Sequence, residues 1–150
     1  MSTRSLSIIY VMGIMAVATF ACEAAAASSV VQVQLLDRST HGELSGMKMK
    51  TDQQEIKAGR VSFQVTNLSK TLVHEMVVVK VDRPGARLPY DPKNRTVTED
   101  KVRHLGEVAE LKPGARGTLN LMLQPGSYLL VCNQPGHYHA GMYSPLTVTP

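Results

Sequence analysis

The sequence predicts an all-β protein, a Greek-key β-sandwich, following an N-terminal signal peptide. Three observations predict it. Apolar and polar residues alternate with the period of a half-buried strand at several places beyond residue 27. Turn-forming pairs such as Pro-Gly separate these stretches at short spacing. No stretch beyond residue 27 has an amphipathic helical period.

The leader comes first. Arg4 gives a short positive start, and Leu6 to Ala21 is almost continuously apolar. Ala24 to Ala27 supply the small residues that signal peptidase accepts, so residues 1–27 read as a secretory signal peptide with cleavage near Ala27. A membrane anchor is the rival, but the apolar run is shorter than the ~20 residues a span needs. A lipoprotein is a third reading through Cys22, against which Thr19 stands where a lipobox carries an aliphatic residue. Periplasmic location and no stable membrane insertion follow as expectations.

Residues 28–150 then form one domain. Val30–Leu36 has a strand composition. Val61, Phe63 and Val65 alternate with Ser62, Gln64 and Thr66, a half-buried strand. Thr71–Val81 is a long β-branched run. Leu119, Leu121 and Leu123 alternate with Thr118, Asn120 and Met122. Ser127–Cys132 and Leu146–Thr149 are the last two strands. Turn signals lie between them at Ala58-Gly59, Pro113-Gly114, Pro125-Gly126 and Pro135-Gly136. Residues 82–101, with Pro84, Gly85, Pro89 and Pro92 among charges, read as a long connection that crosses between sheets and has room for a short helical turn.

Charge excludes more than it selects. The chain carries a formal +4, and removing residues 1–27 takes one cation, Arg4, and one anion, Glu23, leaving the balance unchanged. No basic run suggests a nucleic-acid groove. Cysteine usage is more informative. Cleavage leaves Cys132 as the single cysteine, and a solitary thiol in an oxidising compartment is either inert and buried or bound by something.

The chemistry concentrates in Cys132-Asn-Gln-Pro-Gly-His137-Tyr-His-Ala-Gly-Met142, between the last two predicted strands. A thiolate, an imidazole and a thioether thus share one short loop. Thiolate and thioether select Cu(I), imidazole also suits Cu(II), and two His, one Cys and a weak axial Met make the blue-copper arrangement. His74 is the best candidate for the missing histidine, a polar residue inside a run of valines.

At these residues the chain resembles a cupredoxin, a small type 1 copper protein. Asn67-Leu-Ser-Lys-Thr-Leu-Val-His74, Glu110-Leu-Lys-Pro-Gly114, Leu123-Gln-Pro-Gly-Ser-Tyr128 and the 132–142 loop carry the resemblance over nearly all of the mature chain. The Cys-x4-His-x4-Met spacing is similar to that of rusticyanin and sulfocyanin. The fuller pattern, His74-Glu-Met76 with Pro135-Gly-His137-Tyr-His139, is most similar to periplasmic cupredoxins of bacterial copper tolerance. The resemblance implies His74, Cys132 and His137 as equatorial ligands, Met142 as the axial ligand and one copper per chain. It implies a monomeric one-electron carrier or copper-tolerance protein rather than an enzyme. Its partner is then a redox or copper-trafficking protein; sequestration or handover without electron transfer is the alternative.

One position departs from that family. Many cupredoxins have Asn directly after the first histidine, tying the two ligand loops together. Glu75 stands there in this chain, free to orient a histidine or to face solvent. Blander readings apply elsewhere. His139, His41 and His104 read as surface residues, and Met47, Met49 and Met76 as core filler before a Met-rich Cu(I) site. Zinc is a poorer fit than copper, because a thioether is a poor zinc ligand.

Overall fold

The computed structural model describes residues 28–41 and 43–150. The expected signal peptide, Cys22 included, lies outside the described residues. The described chain is strands and turns, with one 3-10 turn at Glu99–Lys101. No helix among the described residues is long and apolar enough to cross a membrane.

Eleven strands follow in order: β1 (Ser28–Leu36), β2 (Lys48–Thr51), β3 (Glu55–Lys57), β4 (Gly59–Asn67), β5 (His74–Val81), β6 (Tyr90–Asp91), β7 (Thr96–Val97), β8 (Arg103–Leu111), β9 (Arg116–Leu123), β10 (Gly126–Val131) and β11 (Tyr143–Thr149). They build a smaller sheet, β2-β1-β4-β9, a larger sheet, β3-β11-β10-β5-β8, and a β6-β7 ribbon. Pairing is parallel for β1 with β4 and for β11 with β3, and antiparallel elsewhere.

The alternation read from the sequence places the core. Val31, Val33 and Leu35 of β1 and Val61, Phe63 and Val65 of β4 point inward from the smaller sheet. They pack against Met76 and Val78 of β5, Leu130 of β10, and Leu146 and Val148 of β11 from the larger sheet. Both faces of a strand are set by a period of two, so one register places every one of these residues inside. Met47 and Met49 belong to the same cluster, as core filler does.

β5 is buried along both faces from His74 to Val79, which explains why Val77, Val78 and Val79 follow one another without polar alternation. Met76 and Val78 face the core between the sheets. Val77 and Val79 face outward and join Leu129, Val131, Leu88 and Val97 in a second apolar cluster. Leu88 and Val97 come from residues 82–102, which therefore roof the outer face of the larger sheet.

That arrangement corrects the reading of residues 82–101 as a crossover between sheets. The segment leaves β5 and returns as β8, its antiparallel neighbour in the same sheet. The physical reason is the outward row of Val77, Val79, Leu129 and Val131, which needs a cover and finds it in this connection. The expected helical turn is present as Glu99–Lys101.

The run at 71–81 becomes a strand only from His74. Asn67, fully buried, organises the turn before it. Its side-chain NH2 donates to the carbonyls of Leu72 (2.9 Å) and Leu111 (2.8 Å), and its carbonyl accepts from the Ser69 N–H (2.9 Å). One side chain thus anchors the approach to His74 and the end of β8 together.

Candidate metal centre

The larger sheet brings the expected residues to one end. β5 and β10 pair antiparallel, so the start of β5 and the end of β10 are neighbours. Inward-facing positions alternate on each strand: His74, Met76 and Val78 on β5, and Tyr128, Leu130 and then Cys132 after β10. β11 pairs with β10 from Val131 opposite Tyr143, so residues 132–142 form the connection at that same end.

The loop is wound by its own backbone. His137 N–H donates to Gln134 O (2.9 Å), Ala140 N–H to Gly136 O (2.9 Å), and Gly141 N–H to Tyr138 O (3.0 Å). Met142 N–H donates to His137 O, and Cys132 N–H to Met142 O, both at 3.0 Å. The last pair holds Met142 beside Cys132, with its side chain fully buried. Gly136 has φ 88°, and a Cβ there would collide with the Leu44 and Arg95 side chains.

Three donor atoms converge. His74 Nδ1 and His137 Nδ1 are 3.1 Å apart, and the Cys132 sulfur lies 3.9 Å and 3.4 Å from them. Among the described residues this is the cluster of three His, Cys or acidic donors able to hold an ion. Metal–nitrogen bonds of about 2.0 Å and a metal–sulfur bond of about 2.3 Å, opened to trigonal or tetrahedral angles, separate the donors by roughly 3.3–3.7 Å. The observed triangle brackets those values, so one ion of this size fits within it. His74 and Cys132 are sealed from solvent, while His137 keeps 6% exposure.

The environment sets the protonation states. Burial, and then the neighbouring His74, lowers the His137 pKa to about 4. Burial lowers the His74 pKa too, against an opposing pull from Asp37. Both imidazoles are therefore neutral at pH 7, with lone pairs to offer. Burial pushes the Cys132 thiol up to about 12, although the Glu75 backbone N–H, 3.4 Å from the sulfur, favours the thiolate. The thiol keeps its proton until a cation displaces it.

Asp37 is the residue that sequence reasoning missed. Its carboxylate accepts from His74 Nε2 at 2.9 Å, which fixes the tautomer and leaves Nδ1 facing the cluster. Burial alone raises the Asp37 pKa, but hydrogen bonds from Ser69, His74 and the Ser39 backbone bring it below the ordinary range. The only signal in the sequence was a carboxylate one residue past a buried strand. Glu75, in turn, orients no histidine: its carboxylate accepts from Gln134 Nε2 at 3.2 Å.

The remaining candidates stand apart from the cluster. His139 is exposed and stacks on Tyr90, with ring centroids 5.4 Å apart. His41 is exposed against the Thr40 hydroxyl, and His104 is exposed with Glu107 at 3.8 Å. Met47, Met49 and Met76 are buried in the core.

Comparison with known proteins agrees with the site. The family described as copper binding proteins, plastocyanin/azurin family, matches residues 36–149. Auracyanin-B of Chloroflexus aurantiacus is 44% identical over 52 residues, which span 34% of this chain and only 22% of that relative. The dithionite-reduced auracyanin of Roseiflexus castenholzii superposes with a TM-score of 0.56 at 21% identity, covering 84% of this chain and 100% of that one. Rusticyanin from Thiobacillus ferrooxidans superposes with a TM-score of 0.55 at 19% identity, covering 81% of this chain and 77% of that one. The last two show the shared fold, and rusticyanin is a protein whose ligand-loop spacing this sequence resembles.

Proposed function

Because this chain belongs to the plastocyanin/azurin family of copper-binding proteins, we propose that it is an exported, periplasmic type 1 copper protein that carries single electrons to or from a partner protein. His74, Cys132 and His137 would hold the ion, with Met142 as the further, weaker ligand. The observation that carries this reading is the triangle of two imidazole nitrogens and one sulfur, 3.1–3.9 Å on a side.

Bound copper supplies a Cu(II)/Cu(I) couple, which moves one electron without proton chemistry on a substrate. The chain's own residues do the rest. Asp37 holds the His74 ring, the Glu75 N–H supports negative charge on the sulfur, and the loop bonds set His137 and Met142. Ligands held this firmly move little when the ion changes charge, which favours fast exchange. His137, with its slight exposure, is the exit nearest to solvent among the three converging donors. The leader pattern of residues 1–27 and the single remaining cysteine support export.

Loading the purified protein with Cu(II) should give an intense visible thiolate-to-copper absorption, and Cys132→Ser should abolish it. A loaded wild-type protein without that band would sink the proposal. Copper tolerance by sequestration is a second reading, favoured by the complete burial of His74, Cys132 and Met142, which slows release. A deletion strain that grows normally in excess copper would count against it.

A further inference from the structure

Residues 82–102 contain none of the proposed ligands, yet they bond to the ligand loop at three residues that border one. Asn133 directly follows Cys132. Its side-chain carbonyl accepts from Val97 N–H at 2.5 Å, and its NH2 donates back to Val97 O at 3.1 Å. The same NH2 donates to Glu99 Oε1 at 2.7 Å. Gly136 directly precedes His137, and its N–H donates to Arg95 O at 2.6 Å. Tyr138 directly follows His137, and its hydroxyl accepts from Leu88 N–H at 3.1 Å.

The Asn133 amide pairs with the Val97 peptide as one strand pairs with another, through one donor and one acceptor. Asn is the shortest side chain that offers them on two separate atoms, as a backbone does. Arg95 sits at φ 61°, a left-handed conformation that a non-glycine residue keeps only when its surroundings hold it there. The carbonyl of this same residue is the one Gly136 uses. Glu75, at the position where many cupredoxins carry a tethering Asn, is occupied by Gln134 instead.

We infer that residues 82–102 are a strap that sets the geometry of the copper-ligand loop, with Asn133 as its positioning residue. The strap fastens both ends of the Cys132–His137 segment to the outer face of the larger sheet. The inference rests on the copper reading for one of its two readouts; the other needs no metal.

The first readout is amide exchange in the metal-free full-length protein. Asn133→Ala should speed exchange at Gly136 about tenfold, with the amides of Val33 and Phe63 unchanged. A Gly136 amide at the wild-type rate overturns the strap. The second is copper retention against a chelator, read with the copper hyperfine splitting. Asn133→Ala should lose copper about tenfold faster, the scale on which residues supporting a ligand act. A variant that melts earlier but keeps the wild-type retention and splitting overturns the positioning role.

A pair of variants serves if Asn133→Ala folds poorly. Asn133→Asp turns a carboxylate toward Val97 O and Glu99, and adding Glu99→Gln returns a donor. The double variant should retain copper longer than Asn133→Asp alone, and equal retention overturns the inference. A wild-type protein that holds copper without the thiolate band defeats the electron-carrier reading, while the Gly136 amide still decides the strap.

Discussion

Asp37 Oδ2 lies 2.9 Å from His74 Nε2, and the two side chains are 1% and 0% exposed. The contact spans 37 residues and joins the end of β1 to the start of β5, so it links the smaller sheet to the larger one at the metal site. A carboxylate on the far nitrogen makes an imidazole a better donor through the near one.

Removing that carboxylate should weaken the site. Asp37→Ala should lower copper affinity about 10- to 100-fold. Asp37→Asn keeps an acceptor for His74 and should cost less affinity. It also deletes a buried negative charge near the ion, which favours the lower charge state, so the reduction potential should rise. Redox titration of the loaded variant checks the sign, and an unchanged or lower potential contradicts it.

Copper uptake should be linked to one proton. Above the range where the histidines titrate, and below about 12, the empty site holds a protonated thiol and two neutral rings. Each ion bound then releases the Cys132 proton, so apparent affinity should rise about tenfold per pH unit between about pH 7 and about pH 9. Further into acid, His74 and His137 also take up protons and the dependence should steepen. Chelator competition at several pH values measures the slope; a flat profile refutes the protonated thiol.

Asn67→Ala should destabilise the fold by about 2–3 kcal/mol. It strands the carbonyls of Leu72 and Leu111 and the N–H of Ser69, groups that lose their shared partner away from free water. Denaturant unfolding measures the loss. The turn into His74 should loosen as well, so copper release from this variant should be faster than from the parent.

Gly117→Ala tests the packing between β8 and β9. A methyl group there meets Val108, whose branched side chain cannot swing away freely. The backbone at Gly117 is unstrained, so the effect is steric alone, about 1–3 kcal/mol. Adding Val108→Ala should recover part of it, because the second change removes the colliding methyl. A double variant no better than the sum of the two singles would show that the clash is not the cause.

The strands with clean alternation and the candidate ligands were legible in the sequence for a common reason, whereas β8, with charged and glycine residues along Arg103–Leu111, was not read as a strand. Val61, Phe63 and Val65 expose their register by simple alternation, and Cys132, His137 and Met142 lie within one short loop. His74 was visible because a polar residue stood in an apolar run. Asp37 was not visible, since its role depends on how β1 is placed beside the turn into β5, and a lone acidic residue carries no mark of that. Residues 82–102 misled because prolines and charges resemble an exposed connection. Leu88 and Val97, two apolar residues among many polar ones, make it a cover, and no periodicity reveals a roof. Asn133 was hidden inside a motif whose ligands drew the attention, and its partners lie 34 and 36 residues away.

His74 and Cys132 are separated by 58 positions along the chain, and a single ion between them would touch both. Cys132 is a free thiol, so no disulfide closes the chain among the described residues. An ion in the site is therefore a cross-link, turning everything from β5 to β10 into a closed ring. A permanent link over such a ring restricts the unfolded chain by roughly 4 kcal/mol, an upper bound for one that can dissociate. Heat resistance should consequently track metal occupancy, and the loaded and empty forms should melt as two separate populations in a half-loaded sample whose ions exchange slowly.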